Sequence, residues 1–204
     1  LRLWFAVSVF VGLSFQAQSE EFDVWRGTLR TEALANGVSA ALFDEAFQNV
    51  SPIARVIELD RNQPEFTLTL STYLQKVVSG TRAKKARIRL EEHKDILAEV
   101  SAKYDVQPRF IVALWGIETN FGQHTGGFSV IAALATLAHD GRRSAYFRKE
   151  LLNALTILQE GHIKPADMKG SWAGAMGQSQ FMPSSFLSYA TDWDGDGRRD
   201  IWTT

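Results

Sequence analysis

Apolar residues recur along this chain at helical spacing, and almost nowhere do they alternate. Phe22, Trp25, Leu29 and Ala33 fall on one face of a helix that Asn36-Gly37 should stop. Ser39 should cap a short helix through Phe47, and Pro52 should open another through about Leu59. Asn62-Gln63-Pro64 breaks the chain. Leu70, Tyr73, Leu74, Val77 and Val78 make an amphipathic helix ending at Ser79-Gly80, and one long helix is expected from Thr81 to Tyr104. Pro108 opens the most apolar helix, PRFIVALWGIE, and Ser129 caps VIAALATLA. A helix over residues 142–160 ends at Gly161, and Ser184-Ser185 should cap a last one through Ala190. Residues 165–183, rich in Gly, Met and Ser, read as a loop with short helical turns. The single candidate strand is Phe66-Thr67-Leu68-Thr69-Leu70. The pattern predicts an all-α protein.

The 204 residues are long enough for a real core, and 45% of them are hydrophobic. A formal net charge of −1 gives no broad pull toward nucleic acid or an anionic membrane. Cations concentrate instead between Arg82 and Lys94. Lys84, Lys85, Arg87 and Arg89 read first as a solvated face and second as a patch for acidic peptide stems. The lack of cysteine excludes disulfides, thiolate metal sites, a cysteine nucleophile and a lipid-bearing cysteine. Arg2 precedes an apolar run from Leu3 to Phe15, and Ala17-Gln18-Ser19 suits signal-peptidase cleavage after Ser19. The run is shorter than the ~20 residues of a spanning helix, so export with cleavage is expected ahead of a short anchor or a buried helix. The first residue is Leu, and the chain stops just after a turn-rich segment, so further C-terminal sequence is expected.

One carboxyl stands out. Glu118 ends the most apolar helix and shares a face with Ile111 and Trp115. Burial there and the negative helix C-terminus would both favour the protonated acid, which could donate its proton near neutral pH. A buried glutamate satisfied by arginine or backbone donors is the competing reading. Asn120 and Gly122 follow at once and make a sharp exit toward a cleft. About fifty residues on, GSWAGAMGQSQFMPSS spaces Gly170, Gly174 and Gly177 for close backbone approach to a ligand. Gln178 and Gln180 suit sugar hydroxyls and acetamido groups, while Trp172 and Phe181 offer flat faces. Met176 and the aromatics there would equally fill a core.

IETNFG at 117–122 and SWAGAMGQSQFMPSS at 171–185 resemble the membrane-bound lytic murein transglycosylase B family. NQPEFTLTLSTYL before them and YATDWDGDG after them fit it in the same order. The resemblance covers roughly residues 22–204 and implies a lysozyme-like α core preceded by a helical region. The expected division is a signal peptide over 1–19, a helical region over 20–104 and a catalytic core over 105–204. It also implies a periplasmic enzyme that cleaves the β-1,4 bond between N-acetylmuramic acid and N-acetylglucosamine, leaving 1,6-anhydromuramic ends. Glu118 matches the family's acid/base, Ser171 and Gln180 match glycan-contacting positions, and Tyr73 a cleft tyrosine. Asn120, Met176 and Gln178 join the expected substrate contacts. The partner is a peptidoglycan strand; no nucleic acid, no stable membrane anchor and a monomer are expected. The chain departs from lipoprotein members in having no lipobox cysteine.

Most glycosidases use two carboxylates. Here Glu118 would protonate the leaving oxygen and later deprotonate the 6-hydroxyl that closes the anhydro ring. Asp140, Asp167 and Asp192 compete as second carboxylates, so hydrolysis stays open, as does a non-catalytic wall-binding module. No cofactor is expected for catalysis. Asp192, Asp194 and Asp196 occupy positions 1, 3 and 5 of an EF-hand-type loop, Gly197 position 6, and Arg198 offers a carbonyl at position 7. That spacing suits a structural Ca²⁺, or else a solvated acidic turn, and leaves open a calcium-dependent structural protein. His93, His124, His139 and His162 have no metal-ligand spacing and read as structural or surface residues.

Overall fold

A computed structural model describes residues 21–62 and 69–203. The expected signal peptide and the expected strand through Leu68 lie outside them. Thr69 and Leu70 instead cap and open a helix. The described residues form a helix over 21–35 (α1), then α2 (Ala40–Ala46), α3 (Ala54–Arg61), α4 (Leu70–Val77), α5 (Gly80–Glu92), α6 (Lys94–Tyr104) and α7 (Pro108–Thr119). After them come β1 (Phe128–Ser129), α8 (Val130–Asp140), α9 (Ser144–Gln159), β2 (Lys169–Gly170) and α10 (Pro183–Tyr189). The two short strands pair antiparallel, Phe128 against Gly170, and pin the start of α8 to the loop that follows α9. Among the described residues the protein is almost wholly helical, as the periodicity predicts.

Helix α8 is the centre. Its sequence is apolar on every face, so it can be stable only when surrounded. Every residue from Val130 to Ala138 is buried, while Ser129 caps the helix by accepting from the Ala132 amide at 3.4 Å. Thr136 inside it stays satisfied: its hydroxyl donates to the Ala132 carbonyl at 2.7 Å and accepts from the Ile53 amide at 3.0 Å. Around α8 pack Phe22, Leu29 and Ala33 of α1, Phe43 of α2, Val56 of α3, Leu151 and Leu155 of α9 and Phe186 of α10. A second, smaller cluster joins Leu97, Val112 and Phe121, with Ala86, Leu90 and Trp115 against it. The buried residues thus form two groups. Helices α1–α3 share the main core with α8–α10, and α5–α7 hold their own.

Two local expectations change. The single helix over 81–104 is broken at His93, whose backbone leaves the helical region (φ −114°, ψ 20°). The break lets both halves pack on α7, which one straight rod of that length could not do. The last helix is opened by Pro183 at its first position with Met182 outside it, not capped by Ser184-Ser185. Ser184 instead donates its amide (2.8 Å) and its hydroxyl (2.7 Å) to the buried carboxylate of Glu150 on α9.

Asp60 at the end of α3 is also buried and takes both arginines that follow α8. Arg142 donates from Nε at 2.6 Å and Nη2 at 2.7 Å, and Arg143 adds a third bond. The Arg142 hydrogen bond, opposed in part by burial, holds the Asp60 carboxyl below the usual carboxylate range. No helix among the described residues is long and apolar enough to cross a membrane.

Candidate active site

Helix α7 ends where glycine and asparagine let it end. Asn120 adopts the left-handed conformation (φ 51°), and its Nδ2 donates to Gln123 Oε1 at 2.7 Å. Gly116 gives room for the Phe121 ring to fold back under the helix; a Cβ there would sit 2.6 Å from it. This turn fixes Glu118 at the rim of a groove of about 810 Å³ between α6, α7 and the segment after Gly177. Ile96, Val100, Ile111, Leu114 and Trp115 form its apolar wall, while Gln178, Ser179, Phe181 and Thr203 form the other side.

Glu118 is exposed, not buried against Trp115 and Ile111 as its helical face suggested. The apolar wall lies beside the carboxylate without enclosing it. Glu118 is also the one carboxylate among the described residues that line the groove. Asp140 is spent on Arg61 at 2.9 Å, Asp167 is exposed elsewhere, and Asp192 belongs to the acidic loop.

The Gly-Met-Gln loop forms the other wall, and much of its chemistry is turned inward. Met176 is fully buried, so its side chain fills the core and does not face the groove. Its backbone pairs with Phe181 in both directions, at 2.8 and 3.0 Å, which closes a tight turn over residues 177–180. Gly174 (φ +88°) lies against Leu134, and Gly177 (φ +66°) against the Ile201 carbonyl; a Cβ would come within 2.5 Å of either. The close approach that these glycines allow is therefore to the protein itself.

Gln178 joins the two cores. Its Oε1 accepts from Trp115 Nε1 at 2.9 Å, and its carbonyl accepts from the Thr119 hydroxyl at 2.9 Å. Its Nε2 donates to the Trp202 carbonyl at 3.3 Å, and its amide to the Ile201 carbonyl at 2.7 Å. Gln180 (φ 50°) donates its side-chain amide to the carbonyls of Gly177 and Thr125, at 3.0 and 3.1 Å. Ser171 accepts from the Ala175 amide at 3.1 Å and keeps its own hydroxyl proton to donate. Tyr73 is exposed on α4, outside the groove lining, and Asn120 faces a different pocket.

Sequence reasoning missed the α6–α7 wall, because nothing in the helical pattern singles out Ile96, Val100 or Leu114. It also missed Ser179, whose buried hydroxyl lines the groove with no hydrogen-bond partner among the described residues. Nothing in its sequence context separates it from the neighbouring loop polar residues.

Carboxylates of Asp192, Asp194 and Asp196 offer oxygens within 4.8 Å of one another. Asp192 Oδ1 and Oδ2 accept from the amides of Gly195 and Gly197, at 2.8 and 2.9 Å, which curls the loop around them. The all-oxygen donor set fits a hard cation. The Arg198 amide and guanidinium, bonding to Asp196, hold its carboxyl below the usual range. Arg199 ties the loop to the main core, donating to His162 and, at 2.6 Å, to Glu160.

The helical scaffold, with Glu118 at the rim of its apolar groove, is of the lysozyme-like class. The chain belongs to the Transglycosylase SLT domain family, which it matches over residues 21–204. It is 37% identical over 131 residues to membrane-bound lytic murein transglycosylase B of Escherichia coli (strain K12), covering 64% of this chain and 36% of that protein. It is similar to the crystal structure of SltB3 from Pseudomonas aeruginosa in complex with NAG-NAM-pentapeptide, with 48% identity and a TM-score of 0.87. That match covers 90% of this chain and 49% of the other. The Escherichia coli lytic transglycosylase Slt35 in complex with calcium matches with 30% identity and a TM-score of 0.77, over 87% of this chain and 57% of that one. The chain thus spans between about a third and three fifths of the length of these relatives.

Proposed function

We propose that this protein is a periplasmic lytic murein transglycosylase, with Glu118 as its acid and then its base. The observation that carries the reading is the position of Glu118, the one carboxylate among the described residues that line the groove, in a chain of this family. Ordinary hydrolysis calls for a second carboxylate across the cleaved bond. Among the described residues that line the groove none but Glu118 is an acid, which supports the non-hydrolytic route. Glu118 protonates the oxygen between N-acetylmuramic acid and N-acetylglucosamine as the bond breaks. The substrate's own acetamido group traps the cationic carbon. Glu118, now ionised, removes the 6-hydroxyl proton as that oxygen closes on C1, and no water is consumed. Exposure at the rim supports proton exchange with the incoming sugar, while the apolar wall supports sugar-ring faces. Ser171, with a hydroxyl proton to donate, orients the acetamido group, and Gln178 and Gln180 shape the loop that presents it. The Asp192 loop, closed by Asp194, Asp196 and the Arg198 carbonyl, holds a structural Ca²⁺; its donor set and the calcium complex of Slt35 support this. Catalysis itself draws on no cofactor.

Glu118→Gln should lower cleavage of purified murein by about 10²–10⁴-fold, the usual worth of a positioned acid/base. The melting temperature should hold, because the side chain is exposed. Product masses decide the route: an anhydro product is lighter than the hydrolytic one by one water. Hydrolytic products, or near-normal activity in the variant, would sink the reading.

A further inference from the structure

At the α7 exit lies a second, smaller pocket of about 260 Å³, lined by Ser79, Thr81, Arg82, Lys85, Asn120 and His124. Its chemistry is opposite to that of the groove. Every lining residue is polar, and Arg82, Lys85 and His124 bring basic groups to it. Arg82 and Lys85 sit three apart on α5 and so share a face. Most arginines of this protein are matched to a carboxylate: Arg30 to Asp44, Arg61 to Asp140, Arg142 to Asp60, Arg148 to Glu32. On α5 that changes. Arg89 pairs with Glu92, but Arg82, Lys84, Lys85 and Arg87 have no carboxylate partner among the described residues.

The cations are also held in place by neutral groups. Gln123 Oε1 accepts from both Asn120 Nδ2, at 2.7 Å, and Lys85 Nζ, at 3.4 Å. Arg82 donates one guanidinium hydrogen to the Val77 carbonyl. An ammonium has three donors and a guanidinium five, so most of theirs remain for an anion. Asn120, which lines this pocket, lies two residues beyond Glu118 on the same helix end.

We propose that this pocket is a carboxylate subsite that holds the peptide stem of the murein strand beside the cleavage site. The inference rests on the murein reading above and adds to it where the stem goes and which chemistry recognises it. A peptide stem ends in a carboxylate, and a planar acid can accept from Lys85 and Arg82 together. The apolar groove takes sugar rings; the cationic pocket takes the charged branch.

Binding tests the subsite apart from catalysis. GlcNAc-MurNAc-pentapeptide lacks the bond to be cut, so calorimetry can compare it with peptide-free GlcNAc-MurNAc on the full chain. The pentapeptide form should bind about tenfold tighter, the worth of one charge-assisted hydrogen bond on a partly exposed group. Lys85→Gln should erase that difference and leave the peptide-free affinity unchanged. Amidating the peptide carboxylates should erase it in the unaltered protein too. His124→Gln, at an exposed position, should reduce the difference and serves should Lys85→Gln misfold. Equal affinity for the two ligands, or an advantage that survives both Lys85→Gln and amidation, overturns the proposal. Failure of the catalytic reading would show separately, as intact murein or hydrolytic products.

Discussion

Helices α8 and α7 are nearly equal in length and both strongly apolar, yet they bury themselves differently. Nine of the eleven residues of α8 are buried, against three of the twelve of α7. The neighbours of α7 are barer still, with Leu97 the one buried residue of α6 and none on α5. Leu114 stays 60% exposed, Ile96 and Ile117 each 45%. The main core is packed as a closed interior. The α5–α7 unit leaves an apolar face open, and that open face carries Glu118 and walls the groove. The proposed site sits where burial was left incomplete, a common place for the less stable part of a protein.

The comparison can be broken in several ways. Leu155, fully buried on α9, should cost about 2–5 kcal/mol of global stability when cut to Ala. Leu97→Ala should change global unfolding little and instead speed hydrogen exchange in α5–α7. If both variants shift the global denaturation midpoint equally, the two cores are one cooperative unit. Asp60→Asn strikes the ion cluster that ties α3 to the α8–α9 turn. Its arginines are half exposed, so the loss should fall at about 2–3 kcal/mol, below that of a fully buried pair. The folded Asp60 carboxyl is lowered, so its contribution is present above about pH 4 and is lost as pH falls below it. Acid titrations of the two proteins should therefore converge below that pH; parallel curves would refute the assignment.

Gln178→Ala removes the joint between Trp115 and Trp202. About 1–2 kcal/mol of stability should go with it, together with a larger fractional loss of murein cleavage as the two walls of the groove separate. Normal activity in a destabilised variant would show that the joint matters only for folding. Smallest is the acidic loop: Ca²⁺ at a few times its dissociation constant should add about 1 kcal/mol, read as a rise in melting temperature. Asp192→Asn should abolish that rise, and a calcium-indifferent melt of the unaltered protein would count against the site.

Much of this was legible along the chain. The all-α class, the Ser129 cap, Pro108 at the first position of α7, and the apolar periodicity of α8 follow from local rules that act within a turn or two. Glu118 also stood out, because an acid closing an apolar helix is a local contradiction. The break at His93 was not legible, because it depends on α7 being available to both halves of a long helical pattern. Nor was the choice between core and substrate for Met176, or the use of Gln178 as a joint. Loop composition says which atoms can bond, while the choice between a sugar and Trp115 is made by what lies across the gap.

The sequence by itself determined which segments are helices, where most of them start, and which carboxyl is out of place. Tertiary packing alone decided that α1–α3 close on α8–α10, that Glu118 is exposed at a rim, and that Arg82 and Lys85 have no acid partner among the described residues. Those outcomes depend on distances between residues far apart in the chain, which local propensity does not encode.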